Sequence, residues 1–473
     1  MMLRTILMTA LVGAAAGCTV GPDYERPPLQ VPAGYKSAAP DKAGPHELSA
    51  DWWKLFGDPD LAALEEAATR ANQDLKAAVA RVVQARAGVR GAKSAYYPTV
   101  RFDPSAERTR TSENTAQSNG RAFTFTDLRV PFDLSYEIDL WGKVRRTVEA
   151  AEAQAQASAA DLAVVLHTIR ADVAQNYFSM RSFDAQIVIL EGTLASYRRQ
   201  VELMQTQFRA GLVGRITIVQ AEALLYATQS DLAEVRRQRA DLEHALATLT
   251  GRPPSEFSMA AKPLDLEPPK VPAGLPADLL RKRPDVAEAE LNLAVASAQI
   301  GVAAAQFYPD FTLTGTAGWE SFSISHLPDW QSRIWQIGAA ALVPIFEGGR
   351  LDATYRQAKA RYEEQLAAYR SRVLIAFRDV EDALTDLHAR ADAAQSQSKA
   401  VDAAREYQRL AQNQYQQGLI SYFQVIDAER TLLSNELSAA QILSQRMISA
   451  VQLIKALGAG WDPGTPVAGE EAP

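Results

Sequence analysis

Hydrophobic and polar residues alternate strictly between Val130 and Leu140. Val130, Phe132, Leu134, Tyr136, Ile138 and Leu140 are apolar; Pro131, Asp133, Ser135, Glu137 and Asp139 stand between them. Period two over this stretch predicts a β-strand with one apolar face, long enough for the roughly 9–11 residues of a tilted membrane-spanning strand. Its predicted partner covers 99–110, across the polar, turn-forming residues 111–120. A second hairpin follows the same plan. Phe311, Leu313, Gly315, Ala317 and Trp319 alternate with Thr312, Thr314 and Thr316, and 331–346 is the predicted return strand. Trp141, Trp319, Trp330 and Trp335 fall near strand ends, where interfacial aromatic girdles sit.

A different period takes over after each hairpin. Leu162, Leu166, Ile169, Val173, Met180, Phe183, Ile187, Leu190, Leu194, Tyr197, Val201, Met204 and Phe208 step by fours and threes, with one polar interruption at Asn176. This heptad rhythm predicts a helix over 148–209, a rod about 95 Å long at 1.5 Å per residue. Tyr362, Leu366, Tyr369, Val373, Ala376, Val380, Ala383 and Leu387 set the same rhythm over 351–415. Alanines crowd the remaining faces, for example Ala150, Ala153 and Ala157, and allow close approach on two sides. Each rod stops at a glycine, Gly211 or Gly418, and a returning helix is expected over 217–249 or 421–457. Upstream, Asp58 caps and Pro59 opens a helix that runs to about Tyr97 and stops at Pro98.

The two halves are copies. Gly142 and Gly349, Gly211 and Gly418, and Gly251 and Gly458 are each 207 residues apart, and Asp74 pairs with Asp285 and Tyr97-Pro98 with Tyr308-Pro309 at 211. A tandem duplication points to a pseudo-symmetric assembly unit rather than one asymmetric active site. The expected organisation is a signal peptide at 1–17, an extended lipidated segment at 18–58, a first repeat at 59–251, a linker rich in proline at 252–276, a second repeat at 277–458 and a flexible tail at 459–473.

Composition narrows the classes. A net charge of −7 and the lack of a Lys/Arg stripe argue against nucleic acid. One cysteine excludes a disulfide framework, and His46, His167, His244, His326 and His388 lack metal-ligand spacing. No phosphate loop, nucleophile elbow or paired-carboxylate setting appears, so no enzyme and no cofactor are expected. The single Cys18 follows Ala15-Ala16-Gly17 and an apolar run, the pattern of a lipoprotein-type signal peptide. Acyl chains on Cys18 would anchor the chain firmly, each buried methylene contributing about 0.8 kcal/mol. Thr19, where an Asp would favour the inner membrane, favours the outer membrane.

Four strands cannot close a barrel, and an open edge in lipid leaves unpaired backbone groups costing several kcal/mol each. Three copies supply twelve strands and leave a lumen. The expected fold is therefore mixed α and β: a trimeric outer-membrane β-barrel, four strands per chain and twelve in total, continuous with a long periplasmic α-helical barrel. A coiled-coil lipoprotein with a scaffold or adhesive role is the alternative, and it leaves the duplicated hairpins unexplained.

Cys18 with Gly21-Pro-Asp-Tyr24, Trp52-Trp53 with Asp58-Pro59, Glu137-Ile-Asp-Leu-Trp-Gly142, Arg283-Pro-Asp285-Val, Tyr308-Pro309, Pro344-Ile-Phe-Glu-Gly-Gly349-Arg and the two Gly-Leu turns occur in one order. In this the chain resembles the TolC-like outer-membrane factors, specifically their lipid-anchored NodT-type branch. The resemblance implies a homotrimeric duct of a Gram-negative outer membrane, reaching into the periplasm. It also implies a periplasmic adaptor and an inner-membrane pump, commonly a proton-driven RND pump. It makes Gly211, Leu212, Val213, Gly418, Leu419 and Ile420 the adaptor-docking tip. It makes Tyr415, Gln424, Asp427 and Thr217 candidates for the periplasmic gate, where Asp427 from three chains would form an anionic ring. Ile420, Gln424 and Thr217 replace charged residues of some members, so the resemblance does not carry a full ionic lock.

Overall fold

A computed structural model of the chain describes residues 19–37, 49–114, 120–271 and 280–461. The signal peptide, Cys18, His46, part of the 111–120 loop, the end of the linker and most of the tail lie outside the described residues.

A 3-10 turn at Trp52–Phe56 leads into α1 (Pro59–Ala71) and α2 (Gln73–Lys93). Strands β1 (Thr99–Phe102), β2 (Ser105–Arg110) and β3 (Thr124–Ile138) precede α3 (Lys143–Arg209) and α4 (Arg215–Leu249). The second half runs α5 (Pro284–Ala305), β4 (Asp310–Ser321), β5 (Arg333–Leu342), α6 (Arg350–Gln416) and α7 (Tyr422–Ala456). The duplication is visible in helix length: α3 and α6 have 67 residues each, and α4 and α7 have 35 each.

Two expectations need correction. The single helix expected from Pro59 to Tyr97 is two, broken at Asn72. The Asn72 side chain accepts the N–H groups of Asp74 and Leu75 at 2.9 and 3.1 Å, so it caps a new helix, and its amide donates to the Leu249 carbonyl at 2.9 Å. The strand expected over 99–110 is interrupted at Asp103-Pro104, because proline has no N–H for the ladder. Its pieces β1 and β2 both pair antiparallel with β3, so the sheet still has four rungs, in the order β1/β2, β3, β4, β5.

The chain divides into two compact units: residues 1–28, 81–158 and 288–370, and residues 29–80, 159–287 and 371–473. The first holds the whole sheet. Its register aligns Phe102, Phe132, Ala317 and Trp335 across the four rungs, and Val100, Leu134, Gly315 and Ile337 likewise. The other face aligns Arg101, Asp133, Thr316 and Gln336, and Thr99, Ser135, Thr314 and Gly338. Period two thus sorts side chains into one apolar and one polar face. Pro131 stands inside β3, a central strand, opposite Gly318 of β4. A Cβ on Gly318 would collide with the Val130 carbonyl and crowd the Pro131 backbone.

At the end of β3, Asp139 turns the strand into α3. Its carboxylate accepts the N–H groups of Val144 and Arg145 at 3.0 and 2.9 Å, capping the 67-residue helix. The Trp141 indole donates to the Pro309 carbonyl at 2.9 Å and its ring lies 4.9 Å from Tyr308, joining one motif from each repeat. The extended N-terminal residues lie along this unit: Val20 donates to the Trp141 carbonyl, Asp23 pairs with Arg146 at 2.6 Å and Arg26 with Glu290 at 2.5 Å.

In the second unit the Trp52-Trp53 opening is buried. Phe56 packs on Phe178 at 4.9 Å, and Arg170 lies 4.6 Å from the Trp53 ring. Asp58 caps α1 and also accepts the Tyr177 hydroxyl at 2.6 Å. Arg283 grips Asp285 with two hydrogen bonds of 3.0 and 2.7 Å and reaches Asp379 at 3.2 Å and the Ala456 carbonyl at 3.1 Å. The expected heptad residues Leu190, Leu194, Tyr197, Val201 and Met204 pack against Ala221, Leu225 and Leu232 of α4 and Tyr422, Val425 and Ile426 of α7. Phe183 is only half-buried and Phe208 is exposed; Tyr177 and Phe178 take the deep positions instead.

Candidate functional site: two helical turns and a strand wall

The turns that end α3 and α6 have the same backbone. At the first, Gly211 donates to the Phe208 carbonyl and Leu212 to Gln207, both at 2.9 Å; at the second, Gly418 donates to Tyr415 and Leu419 to Gln414, again at 2.9 Å. The glycines have φ of +73° and +74°, the left-handed conformation that closes such a helix end and that a side chain resists. The closure throws the next residue outward: Leu212 is 74% exposed and Leu419 69%. Val213 and Ile420 are turned half inward. Ile216, Val219 and Phe423 extend the apolar surface along the returning helices. The six docking candidates therefore form two separate turns, each led by a leucine.

The four gate candidates do not converge into one cluster within the chain. Tyr415 donates to Gln207 at 3.2 Å and lies 3.8 Å from the Met204 sulfur. Asp427, which is exposed, accepts the Tyr407 hydroxyl at 3.1 Å. Gln424 is exposed and Thr217 half-buried. A tie between α3 and α7 that sequence reasoning missed lies beside them. Tyr422 donates to Gln200 at 2.9 Å, and the Gln200 amide donates to Glu429. The second Glu429 oxygen and the Tyr197 hydroxyl are buried with no hydrogen-bond partner among the described residues. Burial pushes the Glu429 carboxyl up to about 7 against the pull of the Gln200 hydrogen bond. The sequence reading named Asp427 and missed its partner Tyr407, although the two residues are nearly equidistant from the Gly418 turn and a folded hairpin sets them opposite. Glu429 was missed as well, because nothing in a helical carboxylate announces its burial.

The wall is the sheet of the first unit. The polar face carries Thr316, whose hydroxyl donates to Asp133 at 2.6 Å, whereas Val100, Phe102, Trp335 and Ile337 stand exposed on the other. Edges β1/β2 and β5 have no partner strand among the described residues. No described helix is long and apolar enough to cross a membrane. A sheet with an apolar outer face and free edges is the piece that closes into a barrel with copies of itself.

The family model described as outer membrane efflux protein matches residues 64–252 and 275–459, well over half of the chain. The toluene efflux pump outer membrane protein TtgF of Pseudomonas putida is 33% identical over 469 residues, covering 96% of this chain and 97% of that protein. The pyoverdine export outer membrane protein OpmQ of Pseudomonas putida is 33% identical over 444 residues, covering 92% and 93%. The solved structure of the outer-membrane channel OprN superposes with a TM-score of 0.88 at 29% identity, covering 94% of this chain and all of that one. The chain belongs to the outer membrane efflux protein family. Its fold is that of the trimeric outer-membrane channels, which are not enzymes; it is the exit duct of an efflux system, set in the outer membrane of a Gram-negative bacterium and extending into the periplasm. The scaffold alternative falls with this, because a lone coiled coil has no use for the four-rung sheet.

Proposed function

We propose that this duct is a homotrimer anchored by lipid on Cys18 and coupled, through the turns at Gly211-Leu212-Val213 and Gly418-Leu419-Ile420, to a periplasmic adaptor and a proton-driven inner-membrane pump of the RND type. The observation that carries the coupling is the pair of exposed leucines on identical turns. An apolar side chain held out at the end of a helical hairpin gains stability only when a partner covers it. The anchor reading is supported by Thr19 and Val20, the residues after Cys18, which lie against Gly142 and Trp141 where β3 ends. Relatives are named for toluene and for pyoverdine, chemically unlike cargoes. We therefore assign cargo choice to the pump and conduction of small molecules to the duct. Tyr415, Gln424, Asp427 and Thr217 remain its gate residues.

Gly418→Trp is expected to abolish export while the trimer and its outer-membrane amount stay unchanged. Because a side chain at φ of +74° strains the turn itself, Leu419→Asp is the companion variant, removing the apolar contact and leaving the backbone alone. Wild-type drug susceptibility in both would sink the coupling.

A further inference from the structure

The two turns share a backbone and differ in chemistry. Residues 206–219 contain two arginines, Arg209 and Arg215, and no acid; residues 413–426 contain no charged residue. Both arginines are exposed. Among the described residues Arg209 donates only to Thr206 one turn back on its own helix, at 3.2 Å, and Arg215 has no hydrogen bond or ion pair. Arg215 is the first residue of α4, whose N-terminus has no side-chain cap and no acid in its first turn. A cation there faces the positive end of the helix dipole, an arrangement a helix disfavours on its own account. The matching position after the second turn is Tyr422, and α7 also lacks a side-chain cap and first-turn acid. The apolar residues differ too: Leu212, Ile216 and Val219 are exposed aliphatics beside the arginines, whereas Leu419 stands with Phe423 on the neutral turn.

Two unpaired guanidinium groups, uncapped backbone N–H groups and an exposed leucine on one turn make a positive, apolar surface. Its complement is a carboxylate set among apolar side chains. We propose that the two turns are unlike docking sites for the same adaptor hairpin: at the first, an acidic residue beside the hairpin's apolar contact meets the arginines, and at the second the hairpin makes its apolar contact alone. This rests on the docking reading above and adds the partner's chemistry to it. In a trimer the two kinds of turn alternate, so successive copies of the adaptor meet a charged site and a neutral one in turn.

The test uses the full-length lipidated trimer in nanodiscs and the purified cognate adaptor. Binding is measured at about 50 and about 500 mM NaCl, a range across which surface charge is progressively screened. The parent should lose about tenfold in affinity across that range, and Arg209→Gln/Arg215→Gln should start about tenfold weaker and respond little to salt. Arg209→Lys/Arg215→Lys should keep the salt response. If the Gln pair binds with the parent's affinity and salt response while Leu212→Asp fails to bind, the charge inference is overturned and the docking reading stands. Parent-like binding by Leu212→Asp overturns both. A Gln pair that keeps the adaptor but no longer adsorbs to phosphatidylglycerol vesicles assigns the arginines to lipid, and that too overturns the inference.

Discussion

A single carboxyl group near the tip links the duct's stability to proton concentration. Glu429 accepts the amide of Gln200 of α3 on one oxygen, and its other oxygen is buried without a hydrogen-bond partner among the described residues. Its proton is bound more tightly in the folded chain, at about 7 against an ordinary 4.5, chiefly because burial penalises the charged form. The stability this favours is complete below about 4.5 and drains away as pH rises through about 7, a loss of roughly 3 kcal/mol per protomer once the group is fully ionised. Glu429→Gln keeps the hydrogen-bonding shape and removes the charge. The variant should melt above the parent at pH 8 and with it at pH 5; parallel melting curves at both pH values would refute the assignment. Glu65 is the same physics without the neighbouring amide: burial raises it well above its usual range, and both of its oxygens lack a hydrogen-bond partner among the described residues.

Elements in this chain are fastened by a few ionic staples rather than by loops. Arg283, immediately before α5, binds Asp285, Asp379 of α6 and the last carbonyl of α7. Burial alone would raise Asp285; the Arg283 hydrogen bonds and charge, with Arg372 behind, overcome it and hold the carboxyl low. Removing the arginine takes both of its hydrogen bonds from a buried carboxylate and leaves it Arg372 at 3.9 Å and the Val286 N–H at 3.0 Å, so Arg283→Met should cost about 3 kcal/mol. Arg283→Lys should recover little of it, since one ammonium does not replace a two-pronged grip. Thermal melting of the purified protein measures both, and a Lys variant as stable as the parent would show that charge alone suffices. The long helices and both hairpins were legible in the sequence because their periods persist over many residues, and the Arg283-Pro-Asp285 and Asp139–Gly142 motifs were legible as words before their meaning was. The break at Asn72 was not, because its side chain starts a new helix where neither glycine nor proline marks an end. Nor was the start of β3 at Thr124, six residues ahead of Val130, where polar Thr126 and Asp127 and apolar Leu128 do not follow one alternation. At the tip the glycines and leucines could be read directly, but the Gln200–Glu429 tie joins residues 229 apart and exists only once the helices pack.

Assembly turns features that are weak in one chain into strong ones in three. An exposed Asp427 is an ordinary solvated carboxylate held by Tyr407. Repeated around a threefold axis at a constriction, it would become a ring that attracts cations. Asp427→Asn should lower the cation selectivity of single trimers in a planar bilayer, read as a shift in reversal potential; an unchanged potential would leave the aspartate outside the permeation path. The edges of β1/β2 and β5, unpaired among the described residues, act at the same scale, since pairing with the next copy would satisfy each of them. One detail of that wall also sets the two repeats apart. Pro131 comes from the first repeat and Gly318 from the second, and the backbone of β3 at Val130 and Pro131 comes so close to residue 318 that a side chain there would strike it. These positions are not counterparts in the duplication, so the steric demand at 318 falls on one half alone. A side chain at 318 would push the facing strand away, so the two strands can stay this close only while that position is bare.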